Sequence, residues 1–227
     1  MQYQIIGETM PAVEITFDAP GEEMFTQSGG MAWMSGDIEM TTNTRGGLMK
    51  GLGRMFAGES LYMATYRAGR AGDQITFAST VAGRILDLNV AEHQGLICQK
   101  GAFLCAQDGV SLSVTFSKKL SAGLFGGEGF ILEKLEGNGM VFLEVDGDLV
   151  EKDLAPGEVL KVDTGNVVAF EPSVDYGVEI VKGMGNILFG GEGLFLTVLK
   201  GPGHVYLQTQ NLAEFAGRVA RFIPSSK

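Results

Sequence analysis

Residues that carry metal, redox or nucleophilic chemistry are scarce in this chain. Its 227 residues include two cysteines and two histidines, and two cysteines are too few for a disulfide scaffold. Cys98 and Cys105 could face each other across a hairpin, but two small buried apolar side chains are the more ordinary arrangement in a cytosolic protein. His93 and His204 have no ligand partner three to five residues away, as a local zinc site requires. We expect no metal and no cofactor, with a zinc site built from distant residues as the alternative.

Long hydrophobic runs are also lacking. No stretch of 18 or more apolar residues occurs, so we expect no integral membrane segment. Residues 1–10 lack the basic start and apolar centre of a secretory signal and the arginine-rich character of a transit peptide. These features predict a cytoplasmic protein.

Positive charge is in short supply as well. The chain has 17 lysines and arginines against 27 aspartates and glutamates, which gives a formal net charge of −10. Affinity for nucleic acids comes largely from cations that meet phosphates, and anionic membranes attract basic segments. We therefore expect no nucleic-acid partner and no attraction to an anionic membrane surface.

Glycine, in contrast, is abundant and marks a repeated block. The chain has 34 glycines and 6 prolines, a composition typical of a fold rich in turns. The sequence Leu-Phe-Gly-Gly-Glu-Gly at 124–129 returns 64 residues later at 188–193, and a weaker copy, Phe-Ala-Gly-Glu-Ser, occupies 56–60. A period of this size indicates repeated supersecondary units.

Each unit contains a second recurring half, which is a turn followed by two short strands. Ala-Pro-Gly-Glu opens two copies at 19–22 and 155–158, and another copy runs through 95–105. Apolar, β-branched and aromatic runs separated by glycine turns are typical of an all-β sandwich or barrel. We therefore predict one all-β domain of three tandem repeats around a pseudo-threefold axis, an arrangement that leaves no open strand edge. The predicted repeats span residues 12–79, 80–143 and 144–210.

The remaining tail, 211–227, is predicted to contain a short helix. Asn211 is suited to the N-cap and Glu214 stands at the capping-box position. Apolar residues follow at helical spacing through Val219 and Phe222.

Taken together, these motifs resemble those of a known family. They are Gly-Gly-Leu at 46–48, Lys-Gly-Leu at 50–52, Arg-Met-Phe at 54–56, Gly-Glu-Ser at 58–60, Phe-Gly-Gly-Glu-Gly at 125–129 and 189–193, and Gly-Pro-Gly at 201–203. Over nearly its whole length the chain resembles the uncharacterised proteins named for altered inheritance of mitochondria. The resemblance implies three fused copies of the subunit fold of the tryptophan RNA-binding attenuation protein (TRAP), a short double-stranded β-helix. It implies no reaction, because none is established for that family.

A glutamate that follows glycine is the charge repeated in all three units, as Glu59, Glu128 and Glu192. Threefold placement could bring the three carboxylates together, where they would suit a hard cation. The alternative, which we favour, is that each glutamate fixes its own glycine turn. A phosphate loop is disfavoured, because the Walker pattern requires lysine after its last glycine, and here glutamate follows the glycines.

Two apolar features complete the set of candidates. The methionine-rich segment 48–56 could dock on a partner, because methionine adapts to irregular surfaces, or it could be an ordinary turn packed on the barrel. Trp33 occupies the position that Cys105 and Ala169 occupy in the other units. We expect Trp33 to be a buried core side chain.

The leading hypothesis from these observations is a noncatalytic scaffold or protein-interaction protein and not an enzyme. We expect a homo-oligomer, with a trimer among the options, and a protein partner. The alternative is a small-ligand or metal-binding module that uses the three glutamates or a pocket between repeats. An enzyme ranks third. RNA binding follows from fold analogy alone, and the acidic composition opposes it.

Overall fold

The computed structural model describes residues 1–27, 29–43, 63–118, 130–181, 194–220 and 222–223. Nearly all regular structure in these ranges is β-strand, so the prediction of an all-β chain is confirmed. The strands are β1 (Gln2–Ile6), β2 (Ala12–Thr16), β3 (Glu23–Thr26), β4 (Met31–Met34), β5 (Glu39–Asn43), β6 (Met63–Arg67), β7 (Gln74–Ala78), β8 (Gly83–Asn89), β9 (Leu96–Gln99), β10 (Phe103–Gln107), β11 (Val110–Lys118), β12 (Phe130–Gly137), β13 (Met140–Asp146), β14 (Leu149–Leu154), β15 (Val159–Asp163), β16 (Val167–Phe170), β17 (Asp175–Val181), β18 (Leu194–Lys200) and β19 (Gly203–Gln208). Short 3-10 turns occur at Val90–His93, Lys100–Ala102 and Thr164–Asn166.

After β1, the strands pair in the same order three times. Set one is β2–β7, set two is β8–β13 and set three is β14–β19. In each set the first and third strands pair with the sixth, and the second and fourth strands pair with the fifth. All of these pairs are antiparallel. The repeat boundaries drawn from the sequence, and the TRAP-like fold of each repeat, stay predictions.

Neighbouring sets are joined by strand pairing. The third strand of set two, β10, pairs with the second strand of set one, β3. The third strand of set three, β16, pairs with the second strand of set two, β9. The resulting sheets have the orders β1-β2-β7-β4, β5-β6-β3-β10-β13-β8, β11-β12-β9-β16-β19-β14 and β15-β18-β17. We call β1-β2-β7-β4 the first sheet and β15-β18-β17 the last sheet.

The core consists of three hydrophobic clusters, each built from residues of two successive sheets. The first cluster joins the first sheet to the first six-stranded sheet, through side chains such as Phe17 and Phe77. The central cluster joins the two six-stranded sheets, and the last cluster joins the second of these to the last sheet. The two six-stranded sheets therefore have a core on both faces.

The β13 strand shows how the sequence satisfies two cores at once. Successive side chains of a strand point to opposite faces. Val141 and Leu143 accordingly belong to the central cluster, whereas Phe142 belongs to the first. All three are fully buried. Such a strand must be apolar at every position, which explains why the sequence has continuous apolar runs rather than alternation.

The same polar contact recurs in all three sets. The residue after the third strand begins its turn with a side-chain oxygen that accepts a hydrogen bond from the first backbone N–H of the sixth strand. The pairs, with their N–O distances, are Ser35 with Gln74 (2.9 Å), Gln107 with Met140 (2.7 Å) and Glu171 with His204 (3.0 Å). A contact repeated in this way has a structural role, because it satisfies a backbone donor at the start of a central strand.

The helix α1 (Leu212–Ala220) follows the last strand, so the short C-terminal helix is confirmed. The Asn211 side chain accepts a hydrogen bond from the backbone N–H of Glu214 at 3.2 Å, which is the predicted N-cap contact. Phe215 and Val219 lie about half exposed on the helix. No helix in the described ranges is long and apolar enough to cross a membrane.

Candidate functional site

The outer edge of β4 has no strand beside it in the described part of the chain. β4 pairs on one side with β7, with Trp33 opposite Thr76. The side chains of Trp33 and Met34 are 54% and 37% exposed. The strand therefore presents both unpaired backbone groups and apolar surface to solvent.

The β15 strand is open in the same way at the other end of the molecule. It pairs on one side with β18 along its whole length, and within the described ranges no strand lies on its other side. Val159 is 52% exposed, whereas Val162 is buried in the last cluster. The Lys161 ammonium forms an exposed ion pair with Glu179, with an N–O distance of 2.6 Å.

The counterparts of β4 in the other sets are covered. Cys105 and Ala169 stand opposite the sixth strand at the same step of pairing as Trp33, and both are fully buried. Their strands are buried because each pairs with the second strand of the preceding set. Set one has no preceding set. The prediction that Trp33 is a buried core residue is therefore wrong for the single chain, because its burial depends on a strand that the chain does not place there.

The three repeated glutamates, Glu59, Glu128 and Glu192, lie outside the described residues. The same holds for the glycine blocks and for the methionine-rich segment 48–56. In sequence, each glutamate falls between the fourth and fifth strands of its set. The proposal that their carboxylates meet stays a prediction.

The two cysteines lie on different sheets. Cys98 belongs to β9 and the central cluster, and Cys105 belongs to β10 and the first cluster. They do not face each other across a hairpin, and both are buried as small apolar side chains. Burial also raises the pKa of the Cys105 thiol well above its ordinary value.

A polar pocket that the sequence spacing did not predict lies between sets two and three. His93 and His204 both line this cavity of about 320 Å³, together with Glu151, Asp153, Leu154, Glu171, Gly203 and Tyr206. His204 Nδ1 lies 2.6 Å from the Asp153 carboxylate, and Nε2 lies 3.0 Å from that of Glu151. His93 Nδ1 lies 3.3 Å from Glu171 Oε1. Strand pairing brings these side chains together from positions far apart in the chain.

The carboxylates of this pocket alter its titration. Burial by itself lowers the pKa of His204, but hydrogen bonds to Asp153 and Glu151 outweigh burial and raise the pKa above its ordinary value. Burial, helped by three nearby carboxylates, raises the pKa of Tyr206 to about 12. The pocket therefore favours a positively charged imidazole. No group of three or more acidic, histidine or cysteine side chains in the described ranges is arranged to hold a metal ion.

The fold defines a class of all-β proteins in which sets of six strands are joined through sheet edges. The family described as mitochondrial biogenesis AIM24 has a sequence model that matches residues 3–210, and the chain belongs to this family. An uncharacterised protein of Streptococcus pyogenes serotype M6 is 30% identical over 224 residues, which cover 95% of this chain and 88% of that protein. A crystal structure of a Streptococcus pyogenes protein from a structural genomics consortium has a TM-score of 0.76 at 24% identity, covering 98% of this chain and 99% of that one. The comparisons establish the family and the fold, and no specific function.

Proposed function

We propose that this chain is a noncatalytic scaffold that associates with other copies of itself through the outer edges of β4 and β15. One observation carries the proposal. β4 lacks the neighbouring strand that its counterparts β10 and β16 both have. It exposes the largest side chain of the strand, Trp33, at this edge.

The edge of β4 lacks the features by which proteins usually discourage pairing. Exposed edges are commonly protected by charged side chains, by proline or by bulges. The sequence of β4, Met-Ala-Trp-Met, contains neither charge nor proline. Its pairing with β7 is irregular between Met31 and Trp33, but β10 and β16 have the same irregularity and still accept a neighbour. The irregularity therefore does not block an added strand.

The noncatalytic part of the proposal rests on the role of the repeated polar residues. Ser35, Gln107 and Glu171 all accept a backbone hydrogen bond in the same place. Duplication has thus preserved contacts that hold strands together. A scaffold needs this kind of rigid repetition, and its contacts with partners then come from the surfaces that the repetition leaves open.

Sedimentation velocity of the purified protein tests the proposal. We expect the unmodified chain to assemble from two or more copies. Trp33→Glu should shift it to monomer, because a charge would be placed in the buried centre of the interface. Met10→Glu is the matched control: Met10 is as exposed as Trp33, at 54%, but lies between β1 and β2. An unmodified chain that stays monomeric over the accessible concentration range would contradict self-association.

A second candidate function is binding of a small cationic ligand in the pocket between sets two and three. Its support is the convergence of Glu151, Asp153 and Glu171 on one cavity that already favours a protonated His204. An organic ammonium group could replace the imidazolium as the partner of these carboxylates.

Native mass spectrometry of the protein, with and without a chelator, tests the second candidate. A stoichiometric small molecule that is lost in Glu151→Gln would support it, and the chelator arm reports any bound metal separately. Glu179→Gln, which removes an exposed carboxylate outside the pocket, is the control. Mass spectra that show the bare polypeptide under all conditions would count against it.

A further inference from the structure

The two internal junctions between sets use the same register. At the first junction Ala106 stands opposite Phe25. At the second, Phe170 stands opposite Ile97 and Ala169 stands opposite Cys98. Both junctions are antiparallel. The register is thus a property of the sets themselves and was kept when they were duplicated.

The sequence offsets carry this register to the open edges. The second strands of the sets are 72 and then 64 residues apart, so Phe25 and Ile97 correspond to Lys161. The third strands keep the same two offsets, so Ala106 and Phe170 correspond to Met34. The strand in the chain that has the partner type β4 needs, and that lacks its own third-strand neighbour, is β15.

We infer that β15 of a second copy pairs antiparallel with β4, in the register of the internal junctions. The inference rests on the proposed self-association and specifies its partner and geometry. The pairs are Met34 with Lys161, Trp33 with Val162 and Ser35 with Leu160. The first sheet of one copy and the last sheet of the next then form one continuous sheet, β1-β2-β7-β4-β15-β18-β17.

This register places the exposed tryptophan where a core exists to receive it. Val162 belongs to the last cluster, and at the internal junction the equivalent pair, Ala169 and Cys98, lies within the central cluster. Trp33 would therefore extend the last cluster of the neighbouring copy. On the other face, the long aliphatic stem of Lys161 can cover Met34 while its ammonium stays in solvent.

A second copy is the occupant because the two edges lie at opposite ends of the strand order and both are open in one chain. Each copy offers β4 to one neighbour and β15 to another, so the interface is heterologous. Such interfaces produce closed rings when the rotation between copies closes, and filaments when it does not.

Disulfide formation between two single-cysteine variants tests the register. Trp33→Cys and Val162→Cys are prepared separately and mixed under mild oxidation, so that a mixed dimer can arise only between copies. Neither change is foreign to the fold, because Cys105 and Cys98 occupy the equivalent positions in set two. The matched control replaces Val162→Cys by Lys161→Cys, one residue along and on the opposite face of the strand. We expect at least about tenfold more mixed dimer from the Trp33 and Val162 positions, because disulfides need Cβ atoms within about 4.5 Å.

The outcomes separate the register from the proposed function. If the unmodified protein is oligomeric but the mixed dimer does not exceed the control, the register is wrong and self-association stands. If a chain with both changes forms the disulfide within itself and sediments as a monomer, the edges close on one chain and the second copy is ruled out. Hydrogen exchange of the unmodified protein gives an independent readout: β4 amides should become more protected as concentration rises, and unchanged exchange would contradict pairing at this edge.

Discussion

Glu144 is a residue whose role depends on partners distant in sequence. This carboxylate is 8% exposed and accepts hydrogen bonds from the Ser79 hydroxyl at 2.9 Å and from the Thr80 backbone and hydroxyl at 2.7 and 3.1 Å. It therefore ties β13 to the segment between β7 and β8. Hydrogen bonds to a charged group in a buried position are among the stronger polar contacts in proteins.

Removing this carboxylate should destabilise the fold. We expect Glu144→Ala to lower the free energy of unfolding by about 2–3 kcal/mol, because buried donors of Ser79 and Thr80 lose their acceptor. Urea unfolding measures the change. Glu136→Ala is the control, since Glu136 is 52% exposed and forms only a surface ion pair with Lys134; it should change stability by less than about 0.5 kcal/mol. Equal effects of both changes would contradict the role of burial.

His204 gives the fold a defined dependence on pH. Its pKa is raised in the folded protein relative to the ordinary value of 6.5, so protonated His204 stabilises the fold. This stabilisation is fully present below pH 6.5 and is lost as pH rises through the folded pKa. The gain should be about 0.2–1 kcal/mol, because the Asp153 partner is 90% exposed.

The variant His204→Gln isolates this contribution. Glutamine occurs at the equivalent position of set one, as Gln74, where its backbone N–H makes the same contact. We expect the free energy of unfolding of the variant to vary less with pH than that of the unmodified chain between about pH 5.5 and about pH 8.5. Unfolding curves with the same pH dependence in both proteins would show that His204 does not contribute.

At the scale of elements, the strands between two clusters contribute most to the core. β13 places Phe142 in the first cluster, where its ring meets that of Tyr3 edge to face at a centroid distance of 5.0 Å. The side chains before and after Phe142 enter the central cluster. A single strand thus links two cores that would otherwise be separate.

Truncation of Phe142 should be strongly destabilising. We expect Phe142→Ala to cost about 3–5 kcal/mol, the usual range for a buried phenylalanine that leaves a cavity. Val150→Ala on β14 is the control, because Val150 is 38% exposed and should cost less than about 1 kcal/mol. Chemical denaturation of both variants provides the comparison. A small loss for Phe142→Ala would mean that the two clusters are not coupled through β13.

At the scale of the whole molecule, two half-sheets stand at the ends of a stack of three clusters. The sequence argument expected closure around a threefold axis. In the described chain, β4 and β15 each have one neighbour, so the first and last sheets are not joined. Self-association satisfies within an assembly the same pairing that closure would satisfy within one chain.

Self-association predicts a stability that depends on concentration. We expect the melting temperature of the unmodified chain to rise with protein concentration, because association stabilises the folded state by mass action. Calorimetry over a wide range of concentrations measures this, and Trp33→Glu should abolish the dependence. A melting temperature that is constant for the unmodified chain would contradict association of the folded state.

Several features of the fold were predictable from the sequence, and others were not. Turn glycines and apolar runs predicted an all-β chain, and Asn211 with Glu214 predicted the helix start, because these signals are local. The pocket of His93 and His204 was not predictable, since neither residue has a ligand at motif spacing and only strand pairing brings them together. Trp33 was misjudged because its burial depends on a neighbouring strand rather than on its own sequence.

The sequence by itself determined the kind of elements and their order, because strand periodicity, turns and caps arise from interactions between nearby residues. Its offsets of 72 and 64 residues also determined which positions are equivalent in different sets. Tertiary structure decided which of these equivalent positions are covered. The internal junctions bury Cys105 and Ala169, whereas the end of the array leaves Trp33 exposed. The physical reason is that burial requires a partner surface, and the first and last members of an array have one neighbour fewer than those between them.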